Sequence, residues 1–95
     1  MARCPPELLA DVADVLTVVR QWVGLIEKKP GVLYIRREPF LHFHLLKGAR
    51  RRADIKGSDG WRSMELPQPL PSATRRQFLH ELKGRYREKS RLATQ

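Results

Sequence analysis

Ninety-five residues hold one domain with one modest core, and an apolar share of 41% argues against wholesale disorder. A single cysteine excludes an internal disulfide framework and a multi-cysteine zinc site, and no apolar run is long enough to cross a bilayer. A net charge of +9 points to polyanionic partners: nucleic acid, an anionic membrane surface or an acidic protein.

Residues 1–5 read as a flexible tail carrying Cys4 as an incidental thiol. No apolar stretch precedes Glu7 and Asp11, so no secretory signal is expected and a reducing cytoplasm is the default location. Pro5-Pro6 opens a helix. Leu8, Leu9, Val12, Val15, Leu16, Val19, Trp22, Val23 and Ile26 recur at helical spacing, and Pro30-Gly31 is expected to end the helix. Four short β-like runs follow: Val32 to Arg36, Phe40 to Leu46, Arg52 to Lys56 and Trp61 to Leu66. Connections this short impose an antiparallel meander. Pro67, Pro69 and Pro71 form a stiff connector to a second helix over residues 72–91, with Thr74 and Gln77 fitting a capping box and residues 92–95 a second loose tail.

The apolar alternation fixes a register. Leu33 and Ile35 align with Leu41, Phe43 and Leu45. A Gly48-Ala49-Arg50 loop then aligns these with Ala53 and Ile55. A type I′ turn at Asp59-Gly60 sets Ile55 against Met64 and Ala53 against Leu66. Both helices can cover this apolar face. The expected fold is therefore α+β, a single two-layer α-ββββ-α domain over residues 1–95, whose element order resembles the frataxin-like fold.

The same register assigns the polar face: Val32, Tyr34 and Arg36; Phe40, His42 and His44; Arg52, Asp54 and Lys56; Trp61, Ser63 and Glu65. One row reads Val32, His44, Asp54, Glu65. His42, His44, Asp54 and Glu65 are thus the candidate ligands for a divalent metal, the one cofactor considered, because imidazole and carboxylate together hold zinc, iron or manganese. A His-Asp pair also suits acid–base chemistry, whereas the plain alternative is a solvated sheet face with cross-strand charge pairs. No complete catalytic motif appears, so no catalytic residue is nominated.

His42-Phe43-His44 is similar to the His-hydrophobic-His signature of single-strand endonucleases with a tyrosine nucleophile, for which Tyr86 is the candidate. The register sets the second helix on the sheet face opposite the histidines, against that chemistry. Pro39-Phe40-Leu41-His42-Phe43-His44 with Ala53-Asp54-Ile55-Lys56 resembles the sheet core of a group of small bacterial proteins, a likeness that implies no activity.

The charge is partitioned. Residues 1–31 carry four basic and four acidic groups, residues 32–71 eight and four, and residues 72–95 seven and two. Two basic elements result: a hairpin over 47–56 with Lys47, Arg50, Arg51, Arg52 and Lys56, and the second helix with Arg75, Arg76, Lys83 and Arg87. Together they form a candidate phosphate-tracking surface for nucleic acid, beside which Tyr34, Phe40 and Trp61 can stack on bases. The alternative partners are an acidic protein or a second copy bound through the exposed sheet face.

Overall fold

The computed structural model describes residues 2–93, and the side chains of residues 3–90. A 3-10 turn, Pro6–Val12, runs into helix α1, Ala13–Arg20. The strands are β1 Ala2–Arg3, β2 Leu25–Lys29, β3 Val32–Ile35, β4 Glu38–Leu45, β5 Arg51–Gly57 and β6 Gly60–Leu66, and helix α2 is Ser72–Ala93. Strands β2 to β6 form a five-strand antiparallel meander in chain order, and β1 pairs with the far end of β4. No helix among the described residues is long and apolar enough to cross a membrane.

Three expectations are corrected here. First, the helix does not continue to Pro30. Gly24 takes a left-handed φ of 86° after α1, and the chain re-enters as strand β2, so the meander has five strands rather than four. The helical spacing of Trp22, Val23 and Ile26 misleads because these residues end up in three places: Trp22 packs on the core, Val23 is 87% exposed, and Ile26 points from the sheet. Second, residues 2–5 are no loose tail. Ala2 and Arg3 pair with Leu45 and His44, the Cys4 amide donates to the Phe43 carbonyl, and Cys4 is fully buried. Burial pushes the Cys4 thiol up from its ordinary range. With strands before and after α1, the order is no longer the frataxin-like helix, four strands, helix. Third, α2 continues through Leu92 and Ala93, and residues 94–95 lie outside the described chain.

Pro30-Gly31 therefore makes a hairpin rather than a helix stop. Gly31 has a φ of 77°, and a Cβ there would stand 3.0 Å from Leu9 and 3.3 Å from Phe43, so the site needs both the backbone freedom and the missing side chain. Glu27 locks this corner: it accepts a fork from Arg20 at 2.9 Å to each oxygen and a third bond from the Gly31 amide at 3.1 Å.

The core lies between one sheet face and the two helical segments. Leu9, Val12, Val15, Leu16 and Val19 come from the first, Phe78 and Leu82 from the second, and Leu33, Leu41, Phe43, Ala53, Ile55 and Leu66 from the sheet. Phe43 meets Phe78 edge to face, with centroids 6.0 Å apart. Leu45 and Met64 are half-buried at the margins.

Phe40 is a further correction. It is fully buried, not on the polar face. Leu33 pairs with Leu41 and Tyr34 with Pro39, so Phe40 is an extra residue in a β-bulge that turns its ring inward. The two later hairpins pair two residues away from the expected register. His42, not His44, stands opposite Asp54; Asp54 faces Ser63, and Arg52 faces Glu65. An even shift preserves the facing of the paired side chains, so apart from Phe40 at the bulge the division into apolar and polar faces is as expected. The expected type I′ turn at Asp59-Gly60 does not form; the two residues between Gly57 and Gly60 make the connection, and only Gly60 has positive φ. The turn with two left-handed residues is instead Arg36-Arg37, at φ of 50° and 71°.

Candidate nucleic-acid interface

The sheet face turned away from both helices is open. Tyr34 of β3, His42 of β4 and Trp61 of β6 form a diagonal row of rings on it, with His44 of β4 edge-on to His42. Tyr34 and His42 have centroids 6.2 Å apart, and His42 and Trp61 5.4 Å apart. The row exists because Tyr34, His42 and Trp61 share alternation parity on their strands, and because Trp61 reaches across β5 to the middle of the sheet. A lysine covers each end: the Lys28 ammonium sits 4.7 Å from the Tyr34 centroid and that of Lys56 5.2 Å from the Trp61 centroid. Trp61 is 45% exposed, and Ile26 extends the face at its β2 margin.

Beside the rings lies a polar hub. Asp54 accepts a fork from Arg52 at 2.9 and 3.0 Å and a bond from the Ser63 hydroxyl at 2.7 Å, and His44 Nε2 stands 3.1 Å from its other oxygen. Burial alone would raise the Asp54 pKa, but these hydrogen bonds and the Arg52 and His44 charges outweigh it and hold the carboxyl below its ordinary range. Desolvation, and then the neighbouring His44, lower the His42 pKa. His42 Nε2 is buried with no hydrogen-bond partner among the described residues. A neutral imidazole between two aromatic rings acts as a third flat surface.

The proposed metal ligands do not converge. Glu65 turns to Arg50, which forks onto it at 2.8 and 2.6 Å, and among the described residues no three His, Cys, Asp or Glu side chains stand together as a metal set. Tyr86 is also remote from the histidines in function. It packs on Trp22 and Phe40 on the helical side and donates its hydroxyl to the Val23 carbonyl at 2.6 Å.

The basic hairpin and helix do not form one surface. Arg51 is the clearest correction: it is fully buried, paired with Asp11, and donates to the carbonyls of Leu8, Leu66 and Pro67. Its alternation parity is that of Ala53 and Ile55, which carries it into the core-side layer. Replacing Arg50, Arg51 and Arg52 together would therefore not leave the fold intact. Arg50 and Arg52 are held by Glu65 and Asp54, and Arg75 bonds Asp14 at 2.5 Å. Lys47, Arg76, Lys83 and Arg87 are exposed and have no carboxylate partner among the described residues. Arg76, Lys83 and Arg87, with His80, form one outward stripe of α2, opposite Phe78 and Leu82 and hence on the far side of the molecule from the rings. Of the residues singled out for nucleic acid, Tyr34, Lys56 and Trp61 join the ring row. Sequence reading missed the place of His42 in it, although the shared parity with Tyr34 and Trp61 was there to be used.

Comparison with protein-family models, with curated proteins and with solved structures gives no match, so the chemistry of this face has to come from its residues.

Proposed function

We propose that this open-faced α+β sandwich is a binding domain, and that it binds single-stranded nucleic acid across the exposed face of its sheet. The observation that carries the reading is the row Tyr34, His42, Trp61, with an ammonium over each outer ring. Flat rings at this spacing suit successive unpaired bases, which stack on aromatic platforms whatever their sequence. Lys28 and Lys56 stand where a backbone crossing the rings brings phosphates. The Asp54 hub, tied up by Arg52, His44 and Ser63, holds the central strands rigid under the platform.

A duplex keeps its bases stacked inward and offers the rings nothing. Anisotropy titrations at two salt concentrations are therefore expected to give clearly tighter binding to single-stranded DNA or RNA than to a duplex of equal length. The salt slope is expected to be shallow, about −0.7 per phosphate neutralised on a single strand. Equal affinity for duplex with a steep slope would shift the interaction to the α2 stripe. No binding at low salt would overturn the reading.

A further inference from the structure

Strand β6 ends the sheet, and among the described residues no other strand pairs with its outer side. In an antiparallel ladder every second residue of such an edge turns its N–H and C=O outward, which makes the edge a template for a further strand. The opposite edge is defended. The pairing of β2 with β3 breaks at a bulge between Glu27 and Lys29, and Lys28 and Lys29 stand side by side along it. β6 has none of these devices. It pairs with β5 without a break from Gly60 to Leu66 and contains no proline and no lysine. Its one arginine and one glutamate leave it neutral in a chain of net charge +9. Helix α2 packs under β5, and on the helix side of β6 Met64 is only half-buried and Arg62 is exposed.

The edge is also self-complementary. An antiparallel two-fold pairing keeps each sheet face with its like only when the axis passes through a residue rather than between two. An axis through Arg62 would set the two guanidinium groups directly opposite each other, which is destabilising. An axis through Met64 would run the ladder into Pro67, which has no N–H to donate. An axis through Ser63 pairs all seven residues. It sets Arg62 against Met64, Trp61 against Glu65 and Gly60 against Leu66 of the other copy, and no like charges meet.

We propose that β6 is the interface of a symmetric homodimer, in which two copies pair edge to edge about Ser63 and their meanders join into one continuous sheet. Arg62 holds Glu81 of its own chain at 3.4 Å, and in this register its apolar stem covers the half-buried Met64 of the other copy. The two-fold axis stands perpendicular to the sheet, so both ring rows face the same way and neither is covered. The interface uses the β6 backbone and needs no nucleic acid. A single seven-residue edge is small for a permanent contact, so the dimer forms and separates with concentration.

Sedimentation equilibrium of the full chain, without nucleic acid, is expected to show a monomer–dimer equilibrium that moves to dimer towards millimolar concentration. ¹H–¹⁵N spectra over the same range should show saturable shifts of the Gly60 to Leu66 amides and none of the Leu25 to Lys29 amides. Met64→Lys, which places an ammonium opposite each Arg62, should weaken association about fivefold or more. Met64→Glu, which places a carboxylate there, should associate at least as tightly as wild type, with both variants keeping a dispersed spectrum. Both put a charge at the same half-buried margin, so damage to the fold alone would move them together. A wild-type chain that stays monomeric at millimolar concentration, shifts centred on Ile26 and Tyr34 instead of β6, or equal loss of association in the two Met64 variants would overturn the proposal.

Discussion

Arg51→Ala is expected to destabilise the fold by about 3–5 kcal/mol, the cost of breaking a buried ion pair from one side. That is a large part of the roughly 5–15 kcal/mol available to a domain of this kind. The guanidinium is fully buried and joins three separate segments: Asp11 and the Leu8 carbonyl from the 3-10 turn, the Leu66 carbonyl from the end of β6, and the Pro67 carbonyl from the connector. Alanine leaves three carbonyls and a carboxylate without their donor. Lysine at 51 would keep the charge but not the fork, and should recover only part of the loss. Urea unfolding of the three proteins measures this directly. The pair also sets an acid dependence. The Arg51 hydrogen bond, against some desolvation, holds Asp11 below its ordinary range in the folded chain. A carboxylate lowered on folding adds stability above its unfolded pKa, and that stability is lost as pH falls through the folded value. The wild-type chain should therefore lose stability in acid below about pH 4, and Arg51→Ala should flatten that part of the curve.

The second large effect is on binding. Tyr34→Ala together with Trp61→Ala should weaken single-strand affinity by about 2–6 kcal/mol, since each base–ring stack contributes roughly 1–3 kcal/mol. Each single change should account for part of it, and any duplex affinity should stay level. Both rings stand on the open face, Trp61 exposed and Tyr34 half-exposed, so neither change opens the core. The double variant should keep the wild-type melting curve to within the loss of two surface cation–ring contacts. A double variant that binds as well as wild type would remove stacking from the account.

How far the sequence carried this is best seen at three places. The two-faced sheet was legible because alternation is a local signal: Leu41, Phe43, Ala53 and Ile55 declare one face and His42, His44 and Asp54 the other, and a two-residue error in register leaves both unchanged. Strand β2 was not legible. Leu25-Ile26-Glu27-Lys28-Lys29 has one β-branched residue and continues the apolar spacing of α1; what makes it a strand is the left-handed Gly24 and its partner β3. Arg51 was half legible. Three consecutive arginines look like a solvated arm, yet parity sets the middle one beside Ala53 and Ile55. Its partner Asp11 lies forty positions away in sequence, which no local pattern reveals. The ring row falls between these cases. Its members share a face by parity, but the reach of Trp61 over β5 to His42 is a tertiary fact, and the bulge that removes Phe40 from the same face is another.

Single strands are proposed to lie on the open sheet face. The most direct measurement is ¹H–¹⁵N shift mapping of the full chain with a short single-stranded oligonucleotide. Saturable perturbations are expected at Tyr34, His42, Asp54, Lys56 and the Trp61 backbone and indole N–H, with Phe78 and the outward stripe of α2 unaffected. Perturbations confined to Lys47, Arg76, Lys83 and Arg87, with the Trp61 indole unmoved, would contradict it.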